Sequence, residues 1–336
     1  MQIREYLPGD ESGFQALDRE VELHPWNRRD LDNWRWKFSG QNPAGDPTMI
    51  YAEHQSKIVG HFAAIPIAYW IDGASIVGSH SVAMMISKEW QNKGLIKFLS
   101  DKLFSKLAEK NLPFTYGYPN DTAYQLHLKL LDYQLIGWQK LYRKKLTTND
   151  QLVHPSPTFP YDWTRIEVFS KSVDYLWDSA KGGYSVAVER TAKFLNWRYL
   201  QRPDAHYFAF GAFDRGALLG YCILKLYKEG KQIRGHFVDI FTAHGNESCF
   251  RFMMTCGEQF LSGQGAQEVT MWLQGSTRFQ AQLSELGFSG GGISGGGWPN
   301  DVRPMVCRFV RDKEKFQALL KQENWYFVMG DTLEIY

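Results

Sequence analysis

The chain has 336 residues, more than one hydrophobic core usually spans, so two cores of roughly 150 residues each are expected. Its 38 Lys and Arg stand against 36 Asp and Glu, which leaves no overall field to attract nucleic acid or an anionic membrane surface. The N-terminus MQIREYLPGDES lacks a signal peptide's apolar segment, no run of about 18 apolar residues occurs, and the four cysteines lack CxxC spacing. The expectation is a cytoplasmic protein with no membrane span, no metal and buried free thiols.

In chain order the patterns predict a strand in QIREYL, a helix in ESGFQALDREVEL and a second helix in RDLDNWRWKF. A β-hairpin follows over 48–70, then a strand SHSVAMMIS, a turn KEWQNK and a helix over 94–110. Ile96, Leu99, Leu103 and Leu107 form the helix's buried stripe. A strand FTYGY, a helix NDTAYQLHLKL and a strand run YQLIGWQKLYRKKL complete the first half. The proline-containing stretch over 147–162 is the expected linker.

The second half repeats the first. Asn33-Trp34-Arg35-Trp36 returns as Asn196-Trp197-Arg198-Tyr199, and the same spacing separates Pro43 from Gly60 and Pro203 from Gly220. Each glycine sits in an apolar strand, KIVGHFAAI or ALLGYCILK, joined to a preceding strand by a short polar turn, so each half reads as helix, loop and hairpin. The chain reads as a tandem duplication of one α/β unit. On a helix the repeated tryptophan faces a core, and Arg35 and Arg198 fall off that face, placed to pair with a carboxylate or close over a groove.

The chemistry-bearing stretch is SVAMMISKEWQNKGLIKFLSDKL. A strand ends near Ser87, a short turn carries Gln91 to Lys93, and Gly94 opens a long helix. The first turn of a helix has N–H groups without internal partners and a partial positive charge, and glycine admits close approach, so the junction suits a phosphate. From Met84 to Ile96 the segment resembles motif A of the GNAT superfamily of acyl-CoA N-acyltransferases, a strand followed by Gln-x-x-Gly. YGYPNDTAYQLHLKLLDY is similar to the family's next strand, its Asn-x-x-Ala helix and its aromatic ending.

The resemblance covers residues 1–146 well and 163–336 more faintly. It implies an α/β (α+β) fold of two tandem GNAT-like domains, each a mixed, mostly antiparallel central sheet flanked by helices. It further implies acetyl-CoA as co-substrate, with Met84, Met85 and Ile86 along the pantetheine arm. Gln91, Asn92, Lys93, Gly94, Leu95 and Ile96 would lie at the phosphates, and Asn120 would face the pantetheine. Two positions depart from the pattern: Lys88 stands where the family has proline, and Ile96 where it has a small residue.

Amide formation needs a base for the ammonium proton and an acid for the leaving thiolate. The family's acid is a tyrosine whose position here is taken by His127, with Tyr124 one turn earlier; His80 and Glu53 are the candidate bases. The second half has no Gln-x-x-Gly turn and carries Ser284 at the tyrosine position, so it reads as degenerate. GFSGGGISGGGW (287–298) reads as a flexible loop. The leading expectation is transfer of acetyl to a small-molecule amine or amino sugar by a monomer or homodimer. Its alternatives are a non-catalytic acyl-CoA-binding or scaffold protein with the doubled fold, and an aminoacyl- or peptidyl-transferase of the peptidoglycan-bridge type.

Overall fold

The computed structural model describes residues 1–21, 30–146, 159–243, 245–274, 277–290 and 303–333. The first half runs β1 (Gln2–Glu5), α1 (Asp10–Val21), α2 (Leu31–Phe38), β2 (Thr48–His54), β3 (Lys57–Ile71), β4 (Ala74–Ile86), α3 (Leu95–Glu109), β5 (Phe114–Gly117), α4 (Asp121–Leu130), β6 (Gln134–Trp138) and β7 (Leu141–Lys145). The second runs β8 (Asp162–Arg165), α5 (Lys171–Ala180), β9 (Val186–Val188), α6 (Ala192–Leu195) widening into the turn Asn196–Leu200, β10 (Tyr207–Asp214), β11 (Ala217–Glu229), β12 (Gln232–Thr242), α7 (Glu247–Gly263), β13 (Glu268–Gln274), α8 (Thr277–Glu285), β14 (Ser289–Gly290), β15 (Pro304–Phe309) and β16 (Trp325–Val328).

The first-half elements follow the predicted order, with one extension. The hairpin and the next strand form a single meander, because Asp72 and Gly73 adopt positive φ and turn β3 tightly into β4. On α3 the buried stripe is Leu95, Leu99, Leu103 and Leu107, and Ile96 sits half-buried beside it. Of the expected linker, 147–158 lies outside the described residues, and β8 begins at Asp162. The glycine loop lies outside them from 291 onward.

All the described strands join one mixed sheet, in the order β6-β15-β5-β4-β3-β9-β16-β13-β12-β11-β10-β8, with β2 and β1 on β3 and with β7 and β14 beyond β13. The two halves repeat a strand order, and each borrows a strand from the other. β15 lies between β5 and β6, while β7 lies between β13 and β14.

The repeated tryptophan motif joins the halves at their common core. Trp36 stacks on Trp197 at 5.1 Å, and the Nε1–H of each donates to the other's backbone carbonyl, at 2.8 and 3.4 Å. Trp34 is buried as expected. Arg35 is exposed and pairs with Asp32. Arg198 departs from the expectation: it is fully buried, donating to Gly330 O, Thr332 O and the Tyr207 hydroxyl. The wide turn at Asn196–Leu200 carries it inward. The four cysteines are free thiols, three of them buried.

Candidate active site: a parting between parallel strands

β4 and β5 run parallel yet pair only at Ser79–Thr115 and His80–Tyr116, after which they part. The apex is sealed by Ser79 Oγ donating to Phe114 O at 3.2 Å and Ser81 Oγ donating to Tyr116 O at 3.0 Å. Gly117 permits this closeness, since a Cβ there would lie 2.7 Å from Ser81 Oγ. β4 bends away at a bulge, where Ala83 takes a φ of 52° and the register to β3 shifts between His61 and Ala63. His61 Nδ1–H donates to Ala83 O at 2.7 Å and fixes the distorted segment.

Met84, Met85 and Ile86 form the β4 wall of the parting. Met84 and Ile86 are half-buried beside α3, and Met85 points into the core on the other face. The chain then makes a single turn at Lys88–Trp90 and reaches Gly94 at a φ of 76°. Gln91 Nε2 donates back to Ile86 O at 3.1 Å, and Lys93 Nζ lies 5.3 Å from the Trp90 ring. Gln91, Asn92, Lys93 and Gly94 are exposed, and a Cβ on Gly94 would meet nothing within 4 Å. No side chain caps α3 and no acidic residue lies in its first turn, so this helix start is open to an anion. Ile96, in that first turn, is half-buried against the α3 core cluster.

The acid–base candidates fare unequally. His80 sits at the apex, 3% exposed and stacked on Tyr116 at 4.5 Å, with Tyr118 edge-on at 5.5 Å. Tyr124 is half-buried on α4 with its ring edge-on to Trp138 at 5.5 Å. His127 does not suit the acid role. Its Nδ1 lies 2.7 Å from Ala123 O, and a carbonyl only accepts, so Nδ1 carries the hydrogen. Burial pulls its pKa down to about 4, which leaves Nε2 bare at neutral pH with nothing to donate to a thiolate. Asn120 is likewise engaged, because its Oδ1 accepts from Ala123 N at 2.8 Å and caps α4. Glu53 is paired with Arg4 at 2.8 Å and is no free base.

Sequence reasoning missed the segment that faces this apex from the far end of the chain. Phe327 of β16 stacks on Tyr118 at 5.1 Å, and Asp331 O accepts from the Tyr116 hydroxyl at 2.9 Å. The only local signal for it was the short apolar run WYFVM, which does not name a partner.

The second half builds the same parting and fills it. β12 and β13 pair over Arg234–Phe237 and Glu268–Met271, and β16 then bonds to β13 at Leu273 and Gln274. The Tyr326 hydroxyl donates to Ile240 O of β12. Arg190 pins the segment: its Nη2 donates to both carboxylate oxygens of Asp331, at 3.0 and 3.1 Å, and its Nε lies 3.6 Å from Asp239 of β12. Burial pushes the Asp331 carboxyl above the usual carboxylate range, with Arg190 opposing and Asp239 adding to the rise. The start of α7 is also closed, since Asn246 Oδ1 accepts from Cys249 N at 3.2 Å. Ser284, at the tyrosine position, is exposed on α8.

Among the described residues no cluster of His, Cys, Asp and Glu is placed to hold a metal, and no helix is long and apolar enough to cross a membrane. No protein-family model matches the sequence, and no curated protein matches it. Solved structures do. A probable N-acyltransferase of unknown function from Enterococcus faecalis V583 superposes with a TM-score of 0.65 at 13% identity, over 92% of this chain and 72% of that one. A GCN5-related N-acetyltransferase from Anabaena variabilis gives 0.64 at 13%, over 92% and 73%. A Saccharomyces cerevisiae N-myristoyltransferase with bound myristoyl-CoA gives 0.60 at 9%, over 92% and 82%. Across nearly its whole length, the chain has the GNAT fold of the GCN5-related N-acetyltransferases and the N-myristoyltransferases.

Proposed function

We propose that the protein is an acyl-CoA-dependent N-acyltransferase, with the β4–β5 parting as its single donor site and with 163–336 as a degenerate second domain of the same fold. One observation carries the reading: the parting leads straight into an uncapped, exposed helix start, whereas the equivalent features of the second half are filled and capped. The backbone of Met84–Ile86 flanks the pantetheine, and the turn Gln91–Ile96 holds the phosphates through N–H groups at the positive end of α3. The myristoyl-CoA bound in the similar Saccharomyces cerevisiae N-myristoyltransferase supports this class of donor.

A small amine or amino sugar attacks the thioester carbonyl directly from the face that carries His80. The C–N bond forms, the C–S bond breaks, His80 takes the ammonium proton, and Tyr124 returns a proton to the leaving thiolate. Titration calorimetry with acetyl-CoA tests the donor site. One molecule binds per chain, and Gly94→Trp, which forces a bulky side chain onto a left-handed residue facing the open turn, removes the binding. Unchanged affinity in that variant would sink the reading. Thiol release over a panel of amines separates an enzyme from a scaffold that only binds CoA.

A further inference from the structure

Resting on that reading, we infer that Tyr118 is a catalytic residue: its hydroxyl donates a hydrogen bond to the thioester carbonyl oxygen and holds the negative charge that gathers there under attack. β4 and β5 pair for the last time at His80–Tyr116, and β5 ends at Gly117. Tyr118 is therefore the first residue of the wall beyond that pairing. Its ring lies on the face from which the amine comes, edge-on to His80 at 5.5 Å.

The ring is fixed while its hydroxyl is left over. Tyr116 meets it edge-on at 5.4 Å and Phe327 lies flat on it at 5.1 Å. The hydroxyl oxygen is buried and has no hydrogen-bond partner among the described residues, whereas the neighbouring Tyr116 hydroxyl donates to Asp331 O. A buried donor without an acceptor lowers stability, and a bound carbonyl supplies the acceptor. The hydroxyls of Tyr51, Tyr69 and Tyr133 are likewise unbonded among the described residues, but Tyr51 lies on β2, Tyr69 toward the far end of β3 opposite Ile76, and Tyr133 in the α3 core cluster. Of these four, Tyr118 alone borders the parting.

Burial pushes the Tyr118 phenol well above its ordinary value, so it keeps its proton at neutral pH and serves as a donor rather than an acid. The amine nitrogen bonds to the carbonyl carbon, the C=O pair moves onto oxygen, and the Tyr118 O–H steadies that oxygen without giving up its hydrogen. When the C–S bond breaks, the pair returns to the carbonyl. The proton transfers stay with His80 and Tyr124.

Tyr118→Phe removes the hydroxyl and keeps the ring. The expected result is a kcat for acetyl transfer at least about 100-fold lower, with the KM for acetyl-CoA unchanged and stability in urea no lower than that of the unaltered protein. Infrared difference spectra with acetyl-CoA carrying an isotope-labelled carbonyl give a readout that needs no turnover: the bound carbonyl band lies at lower frequency in the unaltered protein than in the variant. An unchanged kcat, or the same band in both proteins, overturns the inference and leaves the donor-site reading standing. Destabilisation that matches the loss of transfer also overturns it, since the hydroxyl is then structural. Failure of acetyl-CoA to bind the unaltered protein overturns both.

Discussion

In the first half of the molecule two parallel strands part beside an open helix start, and no described strand enters the gap. In the second half the same strands part beside a capped helix, and β16 lies in the gap. The strand order is common to both, so strand order alone does not make a cofactor site. What differs is the segment of chain that reaches the parting and the side chain that meets the helix N–H groups.

The largest effect that probes this contrast comes from Arg190, which ties Asp331 to Asp239 within the filled parting. Arg190→Met leaves two carboxylates buried without their cation and is expected to cost about 3–5 kcal/mol, read from urea unfolding. A loss under about 1 kcal/mol would mean that the filling segment is held by packing alone.

His127 probes the first half. Folded, its ring stays neutral down to about 4, whereas the unfolded chain takes the proton near 6.5. Stability is therefore undiminished above pH 6.5 and falls as pH drops toward 4, by up to about 3 kcal/mol. His127→Phe flattens that fall in pH-dependent unfolding and preserves acyl transfer at neutral pH. Loss of transfer with intact folding would restore the ring to the chemistry.

The smallest effect sharpens the comparison most. Asn246→Ala uncaps α7 at a cost of about 1 kcal/mol, and CoA stoichiometry by calorimetry stays at one per chain because β16 still lies in the parting. A second binding site in this variant would show that the cap is the decisive difference.

Local features were legible in the sequence. Gly94 marked the helix start, the polar turns marked the hairpins, and the repeated tryptophan marked a core position. Features that depend on distant residues were not. Nothing in PMVCRF or WYFV says that one enters the first half and the other fills the second, because strand patterns fix a face and leave the neighbour open. His127 shows the same limit at a single residue: alignment placed it where an acid belongs, but its own helix's carbonyl, four residues back, holds its only hydrogen. Arg198 read as lying off the core face, placed to pair with a carboxylate or close over a groove, because the wide turn that carries it inward has no sequence signature.

The reciprocal loan of β15 and β7 also governs how the chain is made. As it leaves the ribosome, β5, one wall of the parting, has β4 on one edge but keeps its other edge bare until residues 304–309 emerge, and β7 has no partner until β13 follows. A piece cut at 146 would present those bare strand edges to other chains and would tend to aggregate. The parting in the first half is therefore completed only when nearly all of the second half has been synthesised.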